Sequence, residues 1–310
     1  MKHTRILYKL ICIALCAAML LPLTGCGETR ETQREVYAMD TIMTLTAYGK
    51  NADAGLDAAE SIILSMDSAL DPELSTSTVY AINHAQVAST VISGQIAKMI
   101  STAHTVYTQS EGALDLTLYP PVKRWGFIDG KYYVPTAEEI AEDLSRLCFD
   151  KLVLSSFPAS GSYSVTLPSY GELSFASAAK GCAADNAIEA MRQAGVTSGI
   201  ISLGGNVQTL GLRPDGSEWR VAVQDPANTA SYLGVVSVGE TAVVTSGGYQ
   251  RSFTDSRGTT YQHILNPASG YPVTNTLQSV TIICPDGTMA DCLSTAMYVL
   301  GESRAINYWR

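Results

Sequence analysis

The sequence lacks the motifs that identify the commonest nucleotide-binding and hydrolytic sites. It contains no GxGxxG dinucleotide fingerprint, no GxxxxGK[ST] phosphate loop, no GxSxG nucleophile elbow and no HExxH zinc motif. Gly204 and Gly205 follow an apolar run, but a second apolar run comes after them, where a Rossmann fingerprint needs a helix. These absences argue against a Rossmann domain, a P-loop nucleotidase, an α/β-hydrolase and a zinc protease.

Charged residues are scarce, and the charge that is present is mostly negative. Asp, Glu, Lys and Arg make up 16% of the chain, and the formal net charge is -9. An acidic chain does not match the basic surface with which proteins hold the phosphates of nucleic acids. We therefore expect no nucleic-acid partner, and an anionic ligand would have to be held locally by a metal or a few donors.

Cysteine is infrequent, and its spacing fits no metal-binding pattern. Four of the seven cysteines lie beyond the N-terminal segment, namely Cys148, Cys182, Cys284 and Cys292. Their spacing matches no zinc motif and indicates no disulfide pairing. We expect them to behave mostly as small buried apolar residues.

No apolar run is long enough to span a membrane, but the N-terminus has the features of a targeting signal. Lys2, Arg5 and Lys9 precede an unbroken apolar run over residues 10–21. This run is shorter than the roughly 20 residues that a membrane-spanning helix requires. A basic segment followed by a short apolar run is typical of a secretory signal peptide, which we place at residues 1–25.

The end of the signal resembles a bacterial lipobox. The apolar run is followed by Leu-Thr-Gly-Cys at residues 23–26, which predicts cleavage before Cys26 and lipidation of that cysteine. Residues 26–35 would then be a polar tether, and residues 36–310 a folded domain. The lipid would hold an exported protein on the bacterial cell membrane, facing outside the cytoplasm. The alternative is an ordinary signal peptide with an incidental cysteine.

Helix-like and strand-like patterns come in blocks along the chain. Apolar residues at helical spacing predict helices over residues 52–70, 91–109, 136–147, 177–195 and 289–300. Branched and aromatic runs predict strands over 36–48, 152–154, 163–167, 172–175, 200–203, 207–212, 219–223, 233–238, 242–245 and 280–283. Because strands and helices do not alternate strictly, the pattern favours an α+β fold.

Residues 261–296 carry the densest set of candidate functional side chains. His263 lies on a short strand-like run before a turn rich in Pro and Gly. Asp291, Ser294 and Thr295 have the i, i+3, i+4 spacing that places side chains on one face of a helix. A carboxylate beside two hydroxyls is the oxygen ligand set that Mg²⁺ prefers, usually together with substrate phosphates. The alternative is a helix cap, because these residue types often cap helices.

Lys180 is a further candidate, because it lies near the predicted start of a helix. The backbone N–H groups and the dipole at a helix N-terminus favour anions, so a lysine there could contact a phosphate. The alternative is an ordinary surface lysine.

Nine short motifs, in order, resemble those of the ApbE family of FAD:protein FMN transferases. They are MDT with YG at 39–41 and 48–49, STS at 75–77, GALDLTLYPPVKRWGF at 112–127, AKG with AD at 179–181 and 184–185, SLGGN at 202–206, TSGGYQR at 245–251, HILNPASGYP at 263–272, SVT at 279–281, and ADCLSTA at 290–296. Each motif is weak alone, but the ordered set is specific. The resemblance covers the chain from about residue 36 onward. It implies an ApbE-like α+β fold with antiparallel or mixed sheets flanked by helices in one compact catalytic unit.

The resemblance also implies a reaction. FAD is split at its pyrophosphate, the FMN moiety is transferred to a threonine hydroxyl on an acceptor flavoprotein, and AMP leaves. The acceptor would be the FMN-binding domain of an electron-transfer protein. Mg²⁺ would bridge the phosphates and offset their charge. Two alternatives remain open: an Mg²⁺-dependent FAD pyrophosphatase that yields FMN and AMP, and a non-catalytic FAD-binding lipoprotein.

The family pattern carries over residue by residue to this chain. The residues that it implies for FAD binding are Met39, Ala113, Leu114, Asp115, Ser174, Lys180, Arg251 and Ile264. The residues that it implies for the metal are Ser177, through its backbone carbonyl, and Asp291, Ser294 and Thr295. His263 is the implied base that takes the threonine proton, a role that suits a side chain whose pKa lies near working pH.

The chain departs from the family pattern at residues 174–182. Family members usually read DLGGIAKG where this chain has SFASAAKG at 174–181. Ser174 replaces an acid near the adenine, Ser177 replaces a glycine whose carbonyl faces the metal, and Cys182 stands where an aromatic residue is common. A carbonyl contact survives the change from Gly to Ser where φ is negative. The missing acid is expected to weaken FAD affinity or relax base selection.

Overall fold

A six-stranded antiparallel sheet is the centre of the fold in the computed structural model, which describes residues 30–274 and 276–310. In spatial order its strands are β1 (Glu31–Ala38), β2 (Thr41–Tyr48), β6 (Gly199–Leu203), β7 (Asn206–Leu210), β10 (Ala242–Gly247) and β13 (Ser279–Cys284). Every neighbouring pair is antiparallel. The expected α+β class is therefore confirmed.

Three smaller sheets accompany the central one. They are β3 (Thr90–Ile92), β5 (Ser162–Thr166) and β4 (Val153–Phe157); the hairpin of β8 (Trp219–Asp225) and β9 (Asn228–Val238); and the pair β11 (Ser252–Thr254) and β12 (Thr260–Gln262). The strand expected at 172–175 is wrong, since this segment is irregular. Its apolar residues are buried all the same, because Asn83 exchanges hydrogen bonds with the Leu173 backbone and the Ser174 N–H donates to the Leu116 carbonyl.

The helices of the described chain are α1 (Ala52–Leu70), α2 (Thr78–Asn83), α3 (Gly94–Gln109), α4 (Tyr119–Arg124), α5 (Ala137–Leu144), α6 (Ala179–Gln193) and α7 (Gly287–Trp309). The five expected helices are confirmed, with shifted ends. The segment at 91–109 divides into β3 and α3, and α7 is kinked at Gly301, where φ is 73°. None of the helices in the described chain is long and apolar enough to cross a membrane.

One face of the central sheet is covered by α1, α6 and α7, and the main core lies between them. Side chains alternate between the two faces of a strand, so β2 buries every second residue there. The buried residues of β2 on this face are Met43, Leu45 and Ala47, and the stripe of α1 above β1 and β2 is Leu56, Ala59, Ile63, Met66 and Leu70. Cys148, Cys182 and Cys292 are buried free thiols, as expected, whereas Cys284 is partly exposed.

The first strand begins earlier than the sequence indicates. Residues 31–35 were expected to belong to the tether, but they form the first part of β1 and pair with residues 44–48 of β2. The Arg34 guanidinium anchors this edge strand by donating to Asp57 at 2.6 Å and Glu60 at 2.8 Å on α1. The side chains of 31–35 are polar because β1 is an edge strand, and this hid the strand. The expected signal peptide and Cys26 lie outside the described residues.

Gly181 makes the close approach of α6 and α7 possible. A Cβ atom at this position would lie 2.1 Å from the Gly287 carbonyl oxygen and 2.8 Å from the Asp291 Cβ. The Gly287 backbone cannot move aside as the end of a flexible side chain can. We therefore expect Gly181→Ala to lower the free energy of unfolding by at least about 1–3 kcal/mol. Urea unfolding followed by circular dichroism measures this. Gly234→Ala, where a Cβ meets open space, is the control and should change stability little; equal effects of the two substitutions would contradict the packing argument.

Candidate functional site

A cavity of about 930 Å³ lies where two turns of the central sheet meet the start of α6. The β1–β2 turn contributes Met39 and Asp40, and the β6–β7 turn contributes Gly204 and Gly205. Residues 174–180 and the β8–β9 hairpin supply further wall. The volume is at the upper end of the range for ligand pockets, so the cavity is large enough for a dinucleotide.

Five of the residues implied by the sequence lie together on the wall of this cavity, although they are far apart in the chain. They are Met39, Ser174, Lys180, Arg251 and His263. Lys180 is half-buried at the second position of α6, where the helix N-terminus favours an anion. A histidine and two cations thus face the same space.

The other residues implied for FAD binding lie outside the cavity lining. Ala113, Leu114 and Ile264 are buried. The Asp115 carboxylate accepts hydrogen bonds from the backbone and the hydroxyl of Thr117, at 2.7 and 2.6 Å. Their roles toward FAD stay predictions.

The β1–β2 turn holds Met39 in an unusual backbone conformation. Met39 and Asp40 are the two residues between the strands, and their φ angles are 49° and 58°. Two positive φ angles are typical of a type I′ turn, which Asn and Gly normally occupy. The Met39 N–H donates to the Asp67 carboxylate on α1 at 2.8 Å and so fixes the turn. Strained positions of this kind cluster at functional sites.

His263 is positioned to act as a base. Its Nδ1 lies 3.1 Å from the carbonyl oxygen of Arg251, which also accepts the His263 backbone N–H. A carbonyl can only accept, so Nδ1 carries the proton and the lone pair of the neutral ring is on Nε2. Burial lowers the pKa of His263 to about 4, with the charges of Arg251 and Lys180 acting in the same direction. The expectation of a pKa near working pH is therefore wrong for His263, because burial disfavours the charged ring, and the imidazole is neutral at pH 7.

The segment at 112–127 supports this histidine. The Phe127 ring meets the His263 ring edge-on, with centroids 6.4 Å apart. Trp125 is fully buried and donates through Nε1 to the Gly270 carbonyl, in the loop that follows the histidine. Arg251 Nη1 donates to the Phe127 carbonyl at 3.1 Å. The segment therefore fixes both the base and a nearby cation.

Three of the four candidate metal ligands lie on α7, which packs against α6 and β10, whereas Ser177 lies in the turn before α6. The Asp291 carboxylate is buried and accepts the Gly181 N–H at 2.9 Å. The Ser294 hydroxyl is 2.7 Å from that of Ser246, and the Ser246 hydroxyl is 3.3 Å from that of Thr295. Ser246 lies in the TSGGYQR motif, but no spacing pattern linked it to the helix, so sequence reasoning did not assign it.

The residues of this cluster do not cap α7, the helix on which they lie. The N-cap of α7 is Asp286, whose carboxylate accepts the Met289 N–H at 2.9 Å. The Gly287 N–H donates instead to Asp185 on α6, at 2.8 Å. Asp291 is beyond the first turn of α7, but its carboxylate accepts the N–H of Gly181 in the first turn of α6 and so caps that neighbouring helix.

The donor set fits a hard cation. It offers one buried carboxylate and several hydroxyls. Within the described residues, no three or more His, Cys, Asp or Glu side chains come together in a group that could hold a metal by themselves. Zinc usually takes the nitrogen of His or the sulfur of Cys as ligands, and this cluster contains neither. Mg²⁺ is commonly held by one or two carboxylates plus waters and phosphate oxygens. The cluster supplies the carboxylate. Its residues are not part of the cavity lining, but Gly181 and Ser246, which bond to the cluster, directly follow the lining residues Lys180 and Thr245 in the chain.

The departures from the family pattern are compatible with the site. Ser177 is not among the residues with positive φ, so its backbone does not require glycine. The Ser174 hydroxyl accepts the Ala176 N–H at 3.3 Å and stabilises the loop before α6. Cys182 is fully buried in the core.

Fold and site together define an α+β protein with a dinucleotide-sized cavity, a neutral histidine and an oxygen-ligand cluster beside it. A sequence model of the ApbE family matches residues 39–310. The chain belongs to the ApbE family.

Curated relatives and solved structures agree. The chain is 29% identical to the FAD:protein FMN transferase of Haemophilus influenzae, covering 96% of this chain and 89% of the relative. It is 34% identical to an FAD:protein FMN transferase of Klebsiella pneumoniae, covering 74% of this chain and 70% of the relative. The structure of the ApbE protein of Thermotoga maritima superposes with a TM-score of 0.80 at 25% identity, covering 87% of each chain. The apo form of the flavinyl transferase ApbE of Pseudomonas stutzeri superposes with a TM-score of 0.78 at 27% identity, covering 90% of this chain and 88% of that one.

Proposed function

We propose that the chain is an FAD:protein FMN transferase that moves the FMN moiety of FAD to a threonine hydroxyl of an acceptor flavoprotein and releases AMP. The observation that carries the proposal is His263, neutral and with Nε2 unprotonated, on the wall of a dinucleotide-sized cavity that also contains Lys180. A phosphoryl transfer to a hydroxyl requires a proton acceptor for that hydroxyl and positive charge beside the phosphates.

The proposed chemistry is a displacement at the phosphorus of the FMN half. His263 Nε2 takes the proton of the acceptor hydroxyl, and the oxygen forms a bond to phosphorus. The bond between phosphorus and the bridging oxygen breaks, and the electron pair leaves with AMP. Lys180 and Arg251, both on the cavity wall, offset the negative charge of the phosphates.

We propose Mg²⁺ as the resident cation. Bound Mg²⁺ supplies charge neutralisation at the pyrophosphate. Asp291, Ser294 and Thr295 would hold it, together with the backbone carbonyl of Ser177. The buried carboxylate and adjacent hydroxyls of the cluster support this assignment.

The direct test is an intact-mass measurement. The full chain is mixed with FAD, Mg²⁺ and a threonine-bearing flavin-acceptor domain. We expect the acceptor to gain the mass of one FMN moiety while AMP is released, and EDTA to abolish both. Release of FMN and AMP without acceptor labelling would favour the pyrophosphatase alternative. Bound but uncleaved FAD would favour the non-catalytic binding protein.

We also propose that lipidation at Cys26 anchors the exported enzyme to the cell membrane, outside the cytoplasm. The basic segment, the apolar run and the lipobox-like sequence at residues 23–26 support this. Cys26→Ser is expected to move the protein from the membrane fraction to the soluble exported fraction, as measured by fractionation and immunoblotting. Unchanged membrane association would contradict the lipid anchor.

The pH dependence of transfer should reflect the depressed pKa of His263. Because this pKa is about 4, the histidine stays unprotonated down to well below its ordinary pKa of 6.5. We expect kcat/KM to be flat between pH 6 and 8, with the acid-side loss attributable to His263 centred near pH 4. A loss of kcat/KM on the acid side that is centred near pH 6.5 would contradict the depressed pKa of His263, since kcat/KM reports the pKa values of the free enzyme.

The same pKa has a consequence for stability. Between about pH 4 and 6.5 the unfolded chain binds a proton at His263 that the folded chain does not, so the free energy of unfolding falls as pH falls through this window. Above pH 6.5 this contribution is fully present. Urea unfolding of wild type and His263→Gln at pH 5 and 7 should show a smaller pH effect in the variant.

A further inference from the structure

The amide of Asn206 is buried without a hydrogen-bond partner. Asn206 is 1% exposed, and neither its Oδ1 nor its Nδ2 has a partner within the described chain. A few other buried polar atoms are unpartnered, but Asn206 is the described amide side chain in which both atoms are. Native proteins rarely leave a buried amide wholly unpaired, because the lost hydration is not compensated. The arrangement therefore points to a ligand or water that the amide holds.

Strand register places this amide beside the oxygen cluster. Asn206 is the first residue of β7 and pairs with Val244 of β10, so their side chains share one face of the sheet. Ser246, two residues further along β10, projects from the same face and bonds Ser294. A diagonal neighbour of this kind lies within reach across a sheet.

The contact between β7 and α6 independently places the Asn206 amide beside the oxygen cluster. Gln208, on the same face of β7, donates through Nε2 to Asp185 of α6 at 3.0 Å. Both β7 and α6 begin at the cavity, so they run in the same sense. Asn206 precedes Gln208 by two residues on β7, and Gly181 precedes Asp185 by about one turn on α6. The Gly181 N–H donates to the Asp291 carboxylate. Asn206 thus lies at the level of the Asp291 carboxylate.

We propose that Asn206 is a positioning residue of the divalent-cation site, whose amide holds a water bound to the cation when FAD occupies the cavity. This rests on the proposed function, since it assumes the cation–FAD complex. An amide oxygen is a hard acceptor suited to hydrated Mg²⁺, and it adds no second negative charge beside Asp291. The GGN sequence at 204–206 then has a physical basis: the turn lines the cavity and the asparagine points to the opposite face of the sheet, toward the cluster.

The test compares cation dependence with folding stability. Asn206→Leu keeps the volume and removes the unpaired amide, so the thermal midpoint of the metal-free protein should stay unchanged or rise. The Mg²⁺ concentration needed for half-maximal FAD binding, measured by flavin fluorescence, should rise about 10–100-fold, as for other groups that support metal ligands. Gln208→Leu is the matched control on the same strand face. It loses its bond to Asp185 and should unfold more easily, with an unchanged Mg²⁺ requirement.

Each outcome decides the proposal. A folded Asn206→Leu protein with the wild-type Mg²⁺ requirement overturns it, as does FAD binding by the wild type that does not depend on Mg²⁺. If Asn206→Leu does not fold, Asn206→Ser is measured in the same way, and a Mg²⁺ requirement equal to that of the wild type again overturns it. FAD binding is read without any acceptor, so absence of FMN transfer would count against the proposed function and not against this site.

Discussion

Replacement of His263 by glutamine is expected to lower kcat for FMN transfer by about 10²–10⁴-fold, the usual contribution of a positioned general base. Glutamine keeps a polar side chain of similar size, but its amide cannot accept a proton at neutral pH. The base acts in the chemical step, so the dissociation constant of FAD should change little. Rapid-quench measurement of AMP release at saturating FAD and acceptor gives the rate.

A second histidine offers a matched control. His84 is exposed at the end of α2, where its ring stacks on Tyr80, and it is not part of the cavity lining. His84→Gln should transfer FMN at the wild-type rate. Near wild-type kcat in the His263 variant would instead mean that another group accepts the proton, and the role assigned to the neutral imidazole would have to be abandoned.

Replacement of Asp291 by asparagine is expected to reduce Mg²⁺-dependent transfer by about 10³-fold, since a cation at the phosphates contributes several kcal/mol to the transition state. The substitution removes the buried negative charge but leaves an oxygen that can still accept the Gly181 N–H. The fold should therefore persist. Initial rates over a Mg²⁺ titration, with the thermal midpoint of the metal-free protein, separate loss of the cation from loss of structure.

Asp286 on the same helix provides the control for charge. Asp286→Asn also removes one carboxylate, but this residue caps α7, and asparagine is an equally good N-cap. Its Mg²⁺ requirement should be close to that of the wild type. Its stability should fall by no more than about 1 kcal/mol, because the ion pair lost with Lys98, at 2.9 Å, is partly exposed. If Asp286→Asn and Asp291→Asn shifted the Mg²⁺ titration equally, the cation would respond to the overall field and not to a ligand at 291.

The sequence alone determined the features that depend on local periodicity. The apolar stripe of α1 and the strands around the β6–β7 turn are visible in the spacing of their residues, and the structure contains them. The grouping of Asp291, Ser294 and Thr295 also follows from helix geometry, because i, i+3 and i+4 are neighbours on any helix. The ordered motifs added the family and with it the expected reaction.

Only the tertiary structure decided which distant residues complete the site. Ser246 joins Ser294 because β10 packs under α7, and Gly181 reaches Asp291 because α6 can approach α7 only where a Cβ is missing. No spacing rule predicts a contact between residues separated by tens of positions, since it arises from the packing of whole elements.

The tertiary structure also decided the electrostatics and the strand ends. Burial and two neighbouring cations depress the pKa of His263, and the Arg251 carbonyl selects its tautomer. Residues 31–35 became a strand because β2 offers an unpaired edge, although their composition is that of a tether. Local composition governs which conformations a segment prefers, whereas pKa values, metal geometry and edge pairing depend on neighbours that folding brings together.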